Sequence, residues 1–370
     1  MKKDSSSEIV PFFNTDIEKL CRASVELVQY ARNIASRQIN MVQLLTYYSI
    51  GRWIVEEQQN GENRAKYGKE VLKTLSVWMT KELGRGFSVD TLENIRKFYL
   101  IFGKRISEPL FRKFAIEKSE SVVRILKEEA EFTLSWTHYL ILMRIQDENE
   151  RNFYEIEATK QGWSKRELQR QYGSSLYERL LLSSDKDKVL QLAKRGQVLE
   201  TAGDVVKDPY VLEFLGLQEK PGYSETELES HIIDHLQDFL MEMGKGFTFV
   251  GRQVRFSFDE DHFRVDLVLY NRLLRCFVLI DLKTDKLKHQ DLGQMQMYVN
   301  YYDRYEKTED ENPTIGILLC SDKSDAMVEM TLPENSNIYA SKYELYLPDK
   351  KLLQRKLKEW IEEETRQEVR

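Results

Sequence analysis

The sequence predicts a helical N-terminal half joined to a compact α/β domain built on a mixed central sheet. Three observations lead there. Residues 16–204 place apolar side chains at spacings of three and four with charges between them, as in "DIEKLCRASVELVQYARNIASRQINMVQLLTYYSIGRWIVEEQQ", the period of amphipathic helices. The stretch "VVKDPYVLEFLGLQEKPGYSE" (205–225), with two prolines and two glycines, then ends that period. Beyond it, apolar runs of strand length and amphipathic helices follow in the order α, β, β, β, α, β. The expected division is a flexible N-terminus (1–15), a helical domain (16–204), a linker (205–223) and the α/β domain (224–370).

In the helical half, stop signals fall at Gly61, at "LGRGFS" (83–88), at Gly103 and at "QGWSKRE" (161–167). In the second half the pattern predicts a helix at 224–243 and strands at 247–258, 263–270 and 276–283. A helix at 289–305, a strand at 314–320 and a terminal helix from 350 complete it.

With 370 residues, 41% hydrophobic and 31% charged, the chain is long enough for two domains with real cores. Its net charge of -6 gives no global attraction to nucleic acid, but phosphate responds to local fields. Cys21, Cys276 and Cys320 stand far apart with no C-x-x-C pair, which argues against a disulfide framework and a thiolate zinc site and for a reducing cytoplasm. No apolar h-region and no run of 18 apolar residues occurs, so neither export nor a membrane span is expected.

The residues that ask for an explanation lie in "VDLVLYNRLLRCFVLIDLK" (265–283). Two apolar strands each carry an aspartate where an aliphatic residue would pack better. Strand alternation predicts Arg264, Asp266 and Val268 on one face and Phe263, Val265, Leu267 and Leu269 on the other. In a hairpin turning near Asn271 and Arg272, one register sets Asp266 opposite Asp281, with Lys283 on the same face as Asp281. In the plain reading, both acids are solvated strand ends and Lys283 is their ion-pair partner. The apolar flanks favour a buried hairpin instead, where carboxylates need a partner such as a hard divalent cation.

A third acid comes from "SETELESHIIDHLQDFLMEMG" (224–244). Ser224 and Glu227 form a capping box, whereas Glu229 shares the apolar face of Ile232, Ile233, Leu236 and Leu240. Glu227, His231 and His235 line up at intervals of four, but without the H-E-x-x-H pattern of zinc hydrolases they read as a solvated face. In "HQDLGQMQMYVNYYDRY" (289–305), Gln290, Gln294 and Tyr298 form one stripe, while Leu292, Met295, Val299 and Tyr302 form the packing stripe. The polar stripe is either a solvated face or a shell that orients groups in the site.

These residues resemble the PD-(D/E)xK nuclease superfamily: Asp266 as its first aspartate, "DLK" (281–283) as the (D/E)xK, Glu229 as the helix glutamate and "QMQMY" (294–298) as Q-x-x-x-Y. "LYNRLLRCFVLIDLK" followed by "KLKHQDLGQMQMYVNYYDR" is similar to the YhcG-like family of bacterial nuclease-domain proteins, from about residue 20 to the C-terminus. Val265 replaces the motif's proline, and Asp281 stands where many relatives have glutamate. The resemblance implies a restriction-endonuclease-like αβββαβ domain and phosphodiester hydrolysis. It implies Mg²⁺ or Mn²⁺ held by Glu229, Asp266, Asp281 and the Leu282 carbonyl, with Lys283, Gln294 and Tyr298 completing the catalytic group. Double-stranded or branched DNA, a second copy of the chain and restriction-modification or defence-system proteins are the partners it suggests. The alternative is a non-catalytic DNA-binding or assembly protein on the same fold.

Between residues 85 and 118, eight Lys/Arg (Arg85, Arg96, Lys97, Lys104, Arg105, Arg112, Lys113, Lys118) face four acids (Asp90, Glu93, Glu108, Glu117), an excess of +4. With a Gly turn and a cap at Ser88, the layout resembles a helix-turn-helix, and the family resemblance implies a winged-helix-like DNA-binding module. Arg85, Arg96, Lys97, Lys104 and Arg105 are its candidate phosphate contacts. "WSKRELQRQY" (163–172) is a second candidate element. An ordinary helix pair with a solvated basic face fits the same charges.

Overall fold

The computed structural model describes residues 28, 38–58, 64–112, 132–182, 192, 194–217, 223–258, 261–333 and 336–355. The expected flexible N-terminus, the stop at Gly61, and Lys113, Glu117 and Lys118 lie outside them, as does most of the terminal helix, of which 350–355 is helical. The chain forms two compact units, Met1–Arg144 and Ile145–Arg370.

In the first unit residues 38–58 are helical, followed by α1 (Arg64–Leu83), α2 (Val89–Phe102), the short α3 (Glu108–Phe111) and α4 (Trp136–Leu142). The "LGRGFS" turn behaves as its glycines require: Gly84 and Gly86 have φ of 83° and 128°, conformations other residues adopt only under strain. Ser88 then caps α2, its Oγ accepting the Thr91 N–H at 3.3 Å. Leu92 and Ile95 of α2 pack with Ile54 and Leu72, and Tyr139 meets Phe98 and Phe102 edge to face at 5.4 and 5.2 Å. A Cβ on Gly51 would lie 2.5 Å from the Ile95 carbonyl oxygen, so the first helix passes α2 at a residue that must lack a side chain.

The second unit opens with α5 (Glu148–Gln161), α6 (Lys165–Gly173) and α7 (Leu176–Leu182). These helices fall within the expected helical domain (16–204); their contacts lie in the unit that holds the sheet. Strand β1 (Tyr210–Val211) follows, then α8 (Glu225–Asp234), α9 (Leu236–Met243), β2 (Phe247–Phe258), β3 (Asp261–Asn271) and β4 (Cys276–Lys286). Helix α10 (His289–Tyr301) runs into a π turn (Tyr302–Glu306), and β5 (Ile315–Asp322), α11 (Asp325–Thr331) and β6 (Ile338–Glu344) complete the order. The sheet is mixed, in the order β1-β6-β5-β4-β3-β2. Strands β2–β4 are antiparallel and the β4–β5–β6–β1 side is parallel.

Both faces are covered. Leu267, Leu269, Val278, Ile280 and Leu282 pack under Leu228, Ile232, Phe239 and Met243 of α8 and α9. Val265, Val268, Leu279 and Leu318 pack under Leu292, Met295, Tyr298 and Val299 of α10. Each such fully buried aliphatic contributes roughly 1.5–3 kcal/mol.

Three expectations change. The helix at 224–243 breaks in two at His235 (φ -115°, ψ 32°). The segment expected as linker contains β1, whose Tyr210 and Val211 pair with Tyr343 and Glu344 of β6 and are fully buried. The strand faces differ as well: Phe263 and Val265 side with Val268, while Leu267 and Leu269 occupy the opposite face. The alternation reverses at Asp266, opposite Gln253, whose φ of 50° interrupts β2, and such irregularities re-aim side chains.

The α5–α7 helices are fastened to the sheet domain by buried charge. Arg179 and Glu242, both fully buried, pair at 2.6 Å, and Arg170 reaches Glu242 at 3.2 Å and Glu213 at 2.9 Å. Glu242 Oε1 also accepts the Val211 N–H at 3.1 Å, and Lys207 donates to the Glu242 carbonyl. Burial alone would push Glu242 up, but Arg179, Lys207 and Arg170 outweigh it and bring the carboxyl down to about 2. Arg170 is thereby committed to an internal network, so the "WSKRELQRQY" segment does not present it as a DNA contact.

Candidate active site

Strand β3 pairs with β4 from Asn271↔Cys276 to Leu267↔Ile280. One further step of that register sets Asp266 opposite Asp281. The carboxylates project where the ladder opens: Asp266 Oδ2 accepts the Leu282 N–H at 2.8 Å, and Asp281 Oδ2 meets Lys283 Nζ at 2.7 Å.

Glu229 enters from α8, buried as its place on the apolar face requires. The Nε2 of Gln253 donates to Glu229 Oε2 at 2.6 Å and to Asp266 Oδ1 at 2.9 Å, joining helix and hairpin acids. Arg264 donates to Gln253 Oε1 at 3.3 Å. Glu229 Oε1 is buried without a hydrogen bond, with Arg252 Nε 3.7 Å away. From the other face, α10 brings Gln294, which donates to the Tyr298 hydroxyl, and that hydroxyl donates to the Arg264 carbonyl at 3.0 Å. Tyr298 is buried, whereas Gln290 of the same stripe is exposed.

The electrostatics follow from packing these groups together. Burial first, then the charge of Asp266, pushes Asp281 up to about 7 despite the opposing pull of Lys283. Burial raises Glu229, with Gln253 opposing and Asp266 adding to the rise. For Lys283 burial acts downward, but Asp281 and Glu225, the latter at 3.8 Å, outweigh it and hold the ammonium above its ordinary range. Tyr298 is raised by burial and also feels Asp281, Asp266 and Lys283, so α10 and the hairpin share one electrostatic site.

The donor set suits a hard divalent cation, which favours carboxylate and carbonyl oxygen: two acids raised by burial, a third tied to one of them, and an orphaned Glu229 oxygen. In the present arrangement the neutral Gln253 amide and the Lys283 ammonium partner the carboxylates, and among the described residues no three acid, His or Cys side chains form a ready cation cluster. The Glu227–His231–His235 line forms none either; His235 Nδ1 turns to the His231 carbonyl at 3.1 Å.

A family model described as "YhcG PDDEXK nuclease domain" matches residues 203–358, and one described as "DUF1016 N-terminal domain" matches residues 24–179. Over 340 residues, 89% of this chain and 90% of the relative, the sequence is 38% identical to "Putative nuclease YhcG" of Escherichia coli (strain K12). The chain belongs to the YhcG family. Among solved structures, a repair endonuclease from Pyrococcus abyssi is similar at 18% identity over 36% of this chain and 50% of that one, with a TM-score of 0.23. An EndoMS–dsDNA complex is similar at 16% identity over 36% and 50%, with a TM-score of 0.25. The YhcG-family chain thus spans about half the length of these structural relatives.

Within this YhcG-family nuclease domain, Glu229, Asp266, Asp281, Lys283, Gln294 and Tyr298 come together. Gln253 and Glu225 join them unforeseen. Glu225 lies in the first turn of α8 and Gln253 in β2. In the other unit, Arg85, Lys97 and Lys104 are exposed. Arg96 donates to Gln58 at 3.3 Å, and Arg105 lies 4.7 Å over the Phe102 ring. Among the described residues no helix is long and apolar enough to cross a membrane.

Proposed function

We propose that the chain is a metal-dependent DNA endonuclease whose C-terminal domain hydrolyses phosphodiester bonds. The observation that carries this reading is the meeting of Asp266, Asp281 and Lys283 at the open end of one buried hairpin, with Glu229 and Tyr298 converging from opposite faces. Asp266, Asp281, the Leu282 carbonyl and Glu229 would hold Mg²⁺ or Mn²⁺. Bound there, such an ion would supply Lewis-acid chemistry, making a water more acidic and offsetting phosphate charge.

The chain's own residues do the rest. Lys283, kept protonated by Asp281 and Glu225, steadies the charge that builds on the phosphate oxygens. Gln253 and the Leu282 N–H fix the Asp266 carboxylate, and Gln294 with Tyr298 braces the hairpin at the Arg264 carbonyl. The basic surface of the helical unit, with Arg85, Lys97 and Lys104 exposed, supplies DNA affinity, while Arg96 and Arg105 first serve internal contacts.

A non-catalytic scaffold draws some support from Gln253 and Lys283, which partner the acids without an ion. It leaves Glu229 Oε1 buried and unbonded, an arrangement a scaffold has no reason to keep. The test is incubation of the full chain with linear, nicked and branched DNA in Mg²⁺, Mn²⁺ or EDTA. Cleavage that needs the ion supports the enzyme; DNA binding without cleavage under every condition supports the scaffold.

A further inference from the structure

The outer side of α10 carries a feature that the hydrolytic group does not use. A cavity of about 290 Å³ is lined by Phe256, Gly293, Gln296, Asn300, Tyr301, Tyr305 and neighbouring Met297 and Arg304. That size lies near the lower end of ligand pockets, roughly 300–1,000 Å³, and suits one flat ring system.

Its aromatic wall is continuous with the candidate active site. Tyr298 meets Phe256 edge-on at 5.5 Å, Phe256 stacks on Tyr301 at 4.1 Å, and Tyr301 tilts against Tyr305 at 5.2 Å. Tyr305 is 61% exposed, a large ring left without a covering side chain. Around it stand the amides of Gln296 and Asn300, bonded to each other at 3.2 Å, and the exposed Arg304.

Gly293 points the same way. It lies inside α10, where glycine is roughly 1 kcal/mol less favourable than alanine, yet nothing stands within 4 Å of where its Cβ would be. Among the described residues, no close packing explains the missing side chain. What it leaves is room in the cavity.

We propose that this cavity takes one unstacked nucleobase of the DNA strand, stacked on Tyr301 and Tyr305, with Gln296 and Asn300 at the base edge and Arg304 at the adjoining phosphate. Rings and amides in this arrangement match the stacking and edge contacts that single strands offer. The inference rests on the nuclease reading and deepens it: the preferred substrate has an unpaired base beside the scissile bond.

The test uses the full chain and a single-stranded oligonucleotide carrying 2-aminopurine, whose fluorescence is quenched by stacking, with free dAMP as a competitor. The wild type quenches the probe. Tyr305→Ala and the cavity-filling Gly293→Leu abolish quenching and weaken binding roughly 5- to 150-fold, the factor equivalent to about 1–3 kcal/mol of stacking. Unchanged quenching and affinity in both variants overturn the proposal. So does dAMP displacing the probe with equal affinity, which would mark a free-nucleotide site. Cleavage without quenching sinks this inference alone, and quenching without cleavage of any DNA sinks the nuclease reading alone.

Discussion

The side-chain amide of Gln253 donates to Asp266 across the β2–β3 pair at 2.9 Å. The same nitrogen reaches Glu229 at 2.6 Å, so one residue sets the spacing of two acids from different elements. Gln253→Ala is expected to lower DNA cleavage about 10–100-fold, the usual effect of losing a residue that orients metal-binding groups, while leaving thermal unfolding near wild type. Wild-type turnover in that variant would show that the amide only fills space.

Asp281 sets a pH signature in the metal-free chain. Burial and Asp266 raise its carboxyl to about 7, so the folded state holds that proton more tightly than the unfolded state does. The contribution to stability is complete below the ordinary carboxyl range near 4 and is lost as pH rises through about 7. In urea unfolding with EDTA, wild type should lose stability relative to Asp281→Asn between about pH 5 and about pH 8. A constant difference across that interval contradicts the assignment.

Much of the active-site geometry was legible because the signal was chemical and local. Asp266, Asp281 and Lys283 stood out as charges in apolar strands, and Glu229 as an acid on an apolar helix face. Gln253 was not legible, because its role depends on a positive φ and on which strand lies beside it, and neither leaves a periodic trace. Strands β1 and β6 were missed for a related reason. Tyr210–Val211 is too short for a pattern, and "IYASKYE" (338–344) mixes Ala, Ser and Lys into a strand buried chiefly by its neighbours.

The buried network that joins α5–α7 to the sheet has an energetic consequence. Glu242→Gln leaves Arg179 and Lys207 buried without their carboxylate, and breaking a buried pair this way costs about 3–5 kcal/mol. Because Glu242 sits at about 2, its stabilisation is present above the ordinary glutamate range near 4.3 and fades as pH falls through about 2. Urea denaturation at neutral pH should register most of the loss; a change below about 1 kcal/mol would mean that the network does not fasten α5–α7 to the sheet.

For the helical unit, binding to duplex DNA is expected to weaken with salt. Alanine at Arg85, Lys97 and Lys104 together should reduce the slope of log affinity against log salt by about 3, roughly one per phosphate contact. Alanine at Arg96 or Arg105 should change the slope less, since Gln58 and the Phe102 ring already engage them. Fluorescence anisotropy across a salt series separates the two groups, and an unaltered slope in the triple variant removes this surface from the DNA-binding account.

The most direct test of the central claim compares DNA cleavage by the wild type, Asp281→Asn and Lys283→Ala, purified identically and assayed with Mg²⁺ or Mn²⁺. The account predicts a loss of roughly 10²–10³-fold or more in both variants, with DNA affinity retained. Cleavage by Asp281→Asn at the wild-type rate would contradict it.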